Sequence, residues 1–476
     1  MAEAGASGSA ADEGEREVVA GLVARARAAM MAYRNHDQAA VDDAVTALAW
    51  SVYRPERARA LAELAVTETG LGKVEDKVTK NTRKTFGTLR DLLRVKSVGV
   101  IEELPALGLV KYAKPVGVVG AVVPSTNPSA TPVNKAMMAL KGGNAVVIAP
   151  SPAALETTTR TVDHMRAELA RAGHPQDLVQ VLPGPVSKAR TGALMAAVDL
   201  VVVTGSQNNV RRAYASGTPA IGVGAGNVPV IVDASADLPD AARKIRASKI
   251  FDNATSCSSE NALVILDEVY EPALAALQAA GGYRAGPAER ALIADALWAG
   301  GKLNRQLIAK DAPVFAGIVG LPPAAGAAEF FLVEAEEVGG PHSFADEKLS
   351  LVLTVYRAAD FEAALETVRR LLAVKGRGHS CGIHTADPDH ARRLAAETDV
   401  VRVLVNQAHT FGNGGGFDNG LNFTLSMGCG TWAGNSISDN LNYRHFINVT
   451  HLVSVIPEDK PSEEALFGAY WAKHGK

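Results

Sequence analysis

The sequence predicts an α/β protein: a doubly wound parallel sheet of the nucleotide-binding type, followed by a second α/β region. Between residues 114 and 232, short unbroken runs of Val, Ile, Leu and Ala alternate with helical stretches. Runs without polar alternation read as strands buried on both faces, the pattern of parallel strands in βαβ units. The alternation resumes after Asp233. At 476 residues the chain is too long for one core, so two or three domains are expected.

In chain order, residues 1–14 are small, polar and slightly acidic, and a disordered tail is expected there. They lack the basic and apolar regions of a secretory leader. From 15 to 94 the pattern is helical. Val18, Val19, Leu22 and Val23 form one stripe, and Val41, Val45, Leu48, Ala49 and Val52 form another. Gly70 and Gly72 break the charged stretch 66–93, in which no chemistry is read. Strands are expected at 116–123, 145–149, 178–182, 200–203 and 228–232. Helices are expected at 132–140, capped by Thr131, and at 153–172. In the second region strands are expected at 263–266, 314–319, 351–355 and 401–405, with a helix at 361–372 and a surface loop at 321–328.

Composition excludes several classes. Hydrophobic residues make up 47% and charged residues 21%, ordinary for a soluble globular protein. A net charge of −3 offers no basic field, so no nucleic-acid partner is expected. No apolar run approaches the ~20 residues that span a bilayer, so no membrane partner is expected. The three cysteines are odd in number and show no CxxC spacing. Neither a disulfide framework nor a structural zinc fits, and a cytoplasmic setting does.

Five stretches bear on chemistry. Cys257 sits in Phe-Asp-Asn-Ala-Thr-Ser-Cys-Ser-Ser-Glu, among small polar residues before an apolar run. At a helix or turn N-terminus, backbone N–H groups would favour its thiolate; the alternative is a buried structural cysteine. Cys381 and Cys429 have more apolar or glycine-rich neighbours and read as core. Asn127, in Pro-Ser-Thr-Asn-Pro after the first strand, either donates to an oxyanion or makes a plain turn. Thr204-Gly205-Ser206 also follows a strand, where small residues admit a nicotinamide or pyrophosphate. The glycines 222, 224 and 226 match no GxGxxG, and tight turns needing positive φ explain them equally well. Glu347 is either a ribose ligand or a solvated loop charge. His379 and His384 flank Cys381 at i and i+5, opposite faces of a strand, so no metal is expected.

Together and in this order, these motifs resemble the aldehyde dehydrogenase superfamily in its CoA-acylating branch, over about residues 16–456. The stretch Gly-Cys429-Gly-Thr-Trp-Ala-Gly-Asn435-Ser-Ile-Ser looks like that branch's own pattern. Within the branch the similarity is to members acting on sulfoacetaldehyde, with acetaldehyde, propanal or an acyl phosphate as alternatives. The resemblance implies a nicotinamide cofactor domain at 15–232 and a catalytic domain at 233–430. It also implies a C-terminal return at 431–476, with small β segments near 108–113 and 451–456 joining a homodimer or homotetramer. It makes Cys257 the nucleophile, Asn127 the oxyanion donor and Glu347 the nicotinamide-ribose ligand. Ser125, Thr126, Pro150, Ser151, Thr204, Gly205, Ser206, Val223 and Gly224 become cofactor-binding positions.

Two departures from hydrolytic relatives carry information. Val223 stands where those relatives place the glutamate that activates water. Bulk water, with a pKa near ~15.7, is a poor nucleophile without a base, whereas a thiol near ~8.5 supplies thiolate at neutral pH. This points to coenzyme A as acyl acceptor. After the strand 145–149 comes Pro150-Ser151-Pro152, with no acidic residue to repel a 2′-phosphate. The cofactor reading leans to NADP and leaves NAD open. For a sulfonate, Arg377, His379 and Lys348 are the candidate partners.

Overall fold

The computed structural model describes residues 10–476, and the fold is built on three sheets. Four helices open the chain: α1 (Ala10–Tyr33), α2 (Gln38–Tyr53), α3 (Pro55–Thr69) and α4 (Val74–Leu93). Of the tail expected at 1–14, residues 10–14 belong to α1, and the remainder lies outside the described residues. In α1 Val19, Leu22 and Val23 are buried, whereas Val18 is exposed. All five residues of the second stripe are buried in α2, whose N-cap Asp37 accepts from the Ala40 N–H.

Strands β1 (Gly99–Leu104) and β2 (Leu109–Pro115) precede the first parallel sheet. That sheet comprises β3 (Val118–Val122), β4 (Ala145–Ala149), β5 (Val179–Val181), β6 (Leu200–Val203) and β7 (Ala220–Gly222), in the order β5-β4-β3-β6-β7. Every residue of β3 and β4 is buried, as their unbroken Val/Ile/Ala runs require. From β3 the chain builds β4 and β5 to one side, then β6 and β7 to the other. The direction reverses between β3 and β6, and the crevice at their carboxyl ends is where doubly wound sheets take ligands. Between these strands run α5 (Ala130–Lys141), α6 (Leu155–Arg171), α7 (Lys188–Ala197) and α8 (Gln207–Tyr214). The α5 N-cap is Ser129 and not Thr131, which lies inside the helix.

The second parallel sheet corrects two expectations. Residues Val228–Val232 form a strand, β8, but it belongs here and does not close the first sheet. The chain therefore changes sheets before Val228 and not after residue 232. A bulge between Val228 and Pro229 accommodates the proline in this interior strand. The sheet order is β10-β11-β12-β9-β8-β13-β14. Its other members are β9 (Glu260–Leu266), β10 (Gly282–Arg284), β11 (Phe330–Glu334), β12 (Val352–Ala358), β13 (Gly378–His384) and β14 (Val400–Val405). The strand expected at 314–319 is a helix, Ala312–Val319, begun by Asp311 and Pro313 and ended by Gly320 at φ 81°. The loop expected at 321–328 contains a helical turn, Pro323–Gly326, with Leu321 and Ala325 buried. Helix α9 (Leu238–Ile250) leads from β8 to the loop that carries Cys257.

After β14 the chain returns to the first domain, where Leu441 and Phe446 join its core. Strand β15 (Ile447–Val453) then pairs antiparallel with β2, so the two expected β segments form one small sheet with β1. No helix among the described residues is long and apolar enough to cross a membrane.

Candidate active site

The loop Phe251–Ala254 and the turn after it place Cys257 at the head of β9. Asp252, Asn253 and Ala254 all adopt left-handed backbone, with φ of 50°, 53° and 57°. Such residues cost of order ~1–3 kcal/mol each and persist only where their surroundings over-determine them. Helix α4 supplies that constraint. Lys77 Nζ and Lys80 Nζ donate to Asp252 Oδ2 at 3.0 and 2.5 Å, and the Lys73 N–H donates to Oδ1 at 2.8 Å. The Asp252 N–H in turn donates to Asp76 Oδ2 at 2.8 Å. Burial alone would push the Asp252 carboxyl up, but the two lysine charges outweigh it and hold the group below its ordinary value. Lys77 Nζ also donates to Thr126 O at 3.1 Å, so one helix ties the cysteine loop to the loop of Asn127.

Asp252→Ala leaves two buried ammonium groups without their shared counter-charge. It is expected to lower stability by about 3–5 kcal/mol, checked by thermal or urea unfolding. A change below about 1 kcal/mol would contradict the clamp.

Cys257 is partly exposed, whereas Cys381 and Cys429 are buried. It lies in a turn, not at a helix N-terminus, with the Ser258 N–H directed at Ser256 Oγ at 3.2 Å. Burial, reinforced by the carboxylate of Glu347, pushes its thiol up to about 12, against the opposing pull of Arg402. Arg402 is itself buried and fixed by Asn413, Asn440 and the His379 carbonyl. Glu347, from the loop before β12, shares a small cleft with Cys257, Asn227, Lys249 and Asn261. Burial raises Glu347 to about 7, and its nearest cation, Lys375 Nζ, is 3.6 Å away.

The segment between β7 and β8 packs directly on the cysteine. A Cβ on Gly226 would fall 2.2 Å from the Cys257 carbonyl oxygen, and one on Gly224 would fall 2.8 Å from Cys429 Sγ. Glycines 222, 224 and 226 all have ordinary backbone, so close approach explains them and positive φ does not. Val223 is buried and contributes no carboxylate.

Asn127 lies past the carboxyl end of β3, in a larger cleft shared with Ser256, the neighbour of Cys257. Its Oδ1 is buried without a partner, and its Nδ2 has only a 3.5 Å contact with Thr126 Oγ1. Pro128 keeps Asn127 out of the helix that follows. Ser125 and Thr126 share this edge of the first sheet with Pro150 and Ser151 after β4, Thr204–Ser206 after β6, and Val223 and Gly224 after β7. Ser206 caps α8, and Thr204 Oγ1 meets Ser426 Oγ at 2.5 Å. Gly205, at φ 150°, leaves the backbone bare. A bared backbone at the switch point, with the half-buried Glu347 carboxylate in the cleft of Cys257, fits a nicotinamide dinucleotide.

The residues expected to meet a sulfonate are elsewhere. Arg377 is exposed and pairs with Asp399. Lys348 is fully buried, its Nζ on the Phe344 carbonyl at 2.8 Å. His379 lies inside β13 against Ser380. Conversely, α4, whose sequence shows no chemistry, contributes Thr79, Lys80, Arg83 and Lys84 to the lining of the cleft of Asn127. The available signal was the i, i+3, i+7 spacing of Lys77, Lys80 and Lys84 on one helix face.

A dinucleotide-type sheet whose carboxyl edge meets a cysteine loop is the architecture of a nicotinamide-dependent oxidoreductase. The chain belongs to the aldehyde dehydrogenase family, whose model matches residues 5–288. It is 53% identical over 461 residues to the acylating sulfoacetaldehyde dehydrogenase of Cupriavidus necator, covering 97% of this chain and 94% of that one. An acetylating aldehyde dehydrogenase from Geobacillus thermoglucosidasius superposes with a TM-score of 0.90 at 33% identity, over 95% of this chain and 100% of that one. The propionaldehyde dehydrogenase of Rhodopseudomonas palustris, solved with bound CoA and an acylated cysteine, gives 0.81 at 25% identity over 92% and 97%.

Proposed function

We propose that the protein oxidises sulfoacetaldehyde with NADP or NAD and transfers the acyl group to coenzyme A. The carrying observation is Cys257, which lines the smaller cleft, adjoins Ser256 of the larger one, and packs against a segment that offers Val223 and glycines where a water-activating base would be needed. The near-full-length similarity to an acylating sulfoacetaldehyde dehydrogenase supports the substrate and the acceptor.

Hydride leaves an aldehyde carbon only after a nucleophile makes it an alkoxide. Cys257 Sγ forms the C–S bond, and the oxygen takes the negative charge. The Asn127 amide is positioned to donate to that oxygen. Glu347 accepts from the ribose hydroxyls, and the Thr204–Ser206 loop admits the ring to the crevice. When bound, the dinucleotide supplies the hydride acceptor. Cys257 then holds a thioester, and the CoA thiolate attacks the acyl carbon and expels the Cys257 sulfur.

The test is aldehyde and oxidised dinucleotide with CoA omitted. The expected result is about one equivalent of reduced dinucleotide per site, with steady turnover only when CoA is added. Sustained acid formation without CoA would overturn the reading, and Glu347, the carboxyl lining the cysteine's cleft, would then be the base to examine.

The 15–232, 233–430 and 431–476 division is best drawn with β8 in the catalytic unit. A homodimer or homotetramer and a cytoplasmic setting complete the proposal. Leu452 and Val453 on β15 and Leu466 and Tyr470 on the C-terminal helix Glu463–His474 are each more than half exposed. Such apolar surface suits subunit contact.

A further inference from the structure

The larger cleft concentrates polar atoms that the fold leaves unmatched. Arg83 Nε, Thr410 Oγ1 and Asn127 Oδ1 are each buried without a hydrogen-bond partner, and all three residues line this one cleft. Among the described residues no acidic side chain lines it. A buried donor or acceptor left unmatched normally costs about 1–3 kcal/mol, so three such orphans around one opening mark a place for a polar ligand.

The three cations of the cleft differ in what they have left to offer. Lys80 is taken up by Asp252 and Thr255. Lys84 is committed to the carbonyls of Gly414 and Gly415, at 2.8 and 3.4 Å. Arg83 forms no hydrogen bond or ion pair among the described residues. Its guanidinium is instead held by aromatic faces, 5.7 Å from the ring centre of Phe411, 5.0 Å from Phe417 and 5.8 Å from Phe423. Stacking on rings orients a guanidinium without consuming its donors. The result is a cation with its fork of N–H groups unspent, in the cleft that holds Asn127 and Ser256.

We propose that Arg83 and Thr410 bind the anionic group of the substrate and set the preference for a sulfonated aldehyde, while Asn127 faces the aldehyde oxygen. This rests on the sulfoacetaldehyde reading above. A sulfonate presents three acceptor oxygens. Two match the guanidinium fork and a third suits a hydroxyl. Sulfonate and carbonyl are close in so short an aldehyde, so binding the first locates the second. Uncharged aldehydes leave the Arg83 donors unsatisfied, which is how a buried polar site rejects an analogue lacking the matching group.

The experiment compares kcat/KM for sulfoacetaldehyde and for propanal in the full chain and in Arg83→Gln, with dinucleotide and CoA saturating. The expected outcome is a roughly 100-fold fall in the ratio of the two, with partial recovery in Arg83→Lys. An unchanged ratio overturns the proposal. So does a loss that appears in the KM for CoA, which would give the cation to the phosphates of CoA. If Arg83→Gln lacks a cooperative thermal transition, Thr410→Val carries the comparison, with about a tenfold fall expected.

A second measurement needs no turnover: protection of Cys257 from iodoacetamide by ethanesulfonate. Protection is expected in the wild type and is expected to be lost in Arg83→Gln. If the wild type does not turn over sulfoacetaldehyde but shows this Arg83-dependent protection, the substrate reading falls and the anion site stands. If it turns over sulfoacetaldehyde and Arg83→Gln leaves the ratio unchanged, the anion site falls and the substrate reading stands.

Discussion

Cys257→Ala is expected to lower CoA-dependent aldehyde oxidation by roughly 10⁴-fold or more, because every later step requires the carbon–sulfur bond. The fold should survive. Cys257 lies in a turn and is partly exposed, and the loop before it is held by Asp252 and α4 rather than by the thiol. Intact mass measured after aldehyde and oxidised dinucleotide, without CoA, should show an acyl adduct on the wild type and none on the variant. Activity within tenfold of wild type would remove the nucleophile from the mechanism.

The same sulfur carries a pH signature. With the thiol pushed up to about 12 by burial and by Glu347, the free enzyme at neutral pH holds little thiolate. Alkylation by iodoacetamide should therefore rise about tenfold per pH unit from 7 to 10 without a plateau. Glu347, raised to about 7, is charged above that pH and neutral below it. A negative charge disfavours the thiolate, so Glu347→Gln should alkylate faster than wild type above pH 8. At pH 6, where the wild-type carboxyl is itself protonated, the two rates should converge. The nicotinamide ring of the oxidised dinucleotide is cationic and, brought beside the sulfur, is expected to accelerate alkylation of the wild type.

The chemistry of this protein was easier to read from sequence than its sheet membership. Ala145–Ala149 and Leu200–Val203 form strands at the expected bounds because an unbroken β-rich run has few alternatives. Val228–Val232 is equally recognisable as a strand, but which sheet it joins depends on partners 30 to 150 residues away. Gly282–Arg284 and Gly378–His384 are not legible as strands, because neither Gly-Tyr-Arg nor Gly-His-Ser-Cys-Gly-Ile-His makes an apolar run, although β13 is buried throughout. At residues 314–319 the apolar run suggests a strand, but the flanking Asp311, Pro313 and Gly320 are helix start and stop signals, and these decide the local structure. Cys257 and Asn127 are legible as candidates because a motif carries them. Arg83 and the lysines of α4 are not. A cation on a helix reads as solvated until packing shows that its face is turned inward, and only long-range contacts such as Lys77 and Lys80 with Asp252 reveal that.

Asn127→Ala is expected to slow hydride transfer by roughly 10²–10³-fold, the usual loss when one preorganised oxyanion donor is removed. In the free protein the Asn127 amide makes only a 3.5 Å contact with Thr126 Oγ1. Little hydrogen bonding must be broken before it meets an alkoxide. Its position is fixed from both sides, by the end of β3 and by Pro128, while Lys77 anchors the preceding carbonyl. Truncation should therefore leave the loop in place and affect the rate more than substrate binding. In single-turnover experiments without CoA, reduced dinucleotide should still approach one equivalent per site, at the lower rate, with aldehyde KM changed by less than about threefold. Asn127→Asp should be slower still, because a carboxylate there repels the developing oxyanion and raises the Cys257 thiol further. A loss below tenfold in Asn127→Ala would mean that backbone N–H groups alone carry the oxyanion.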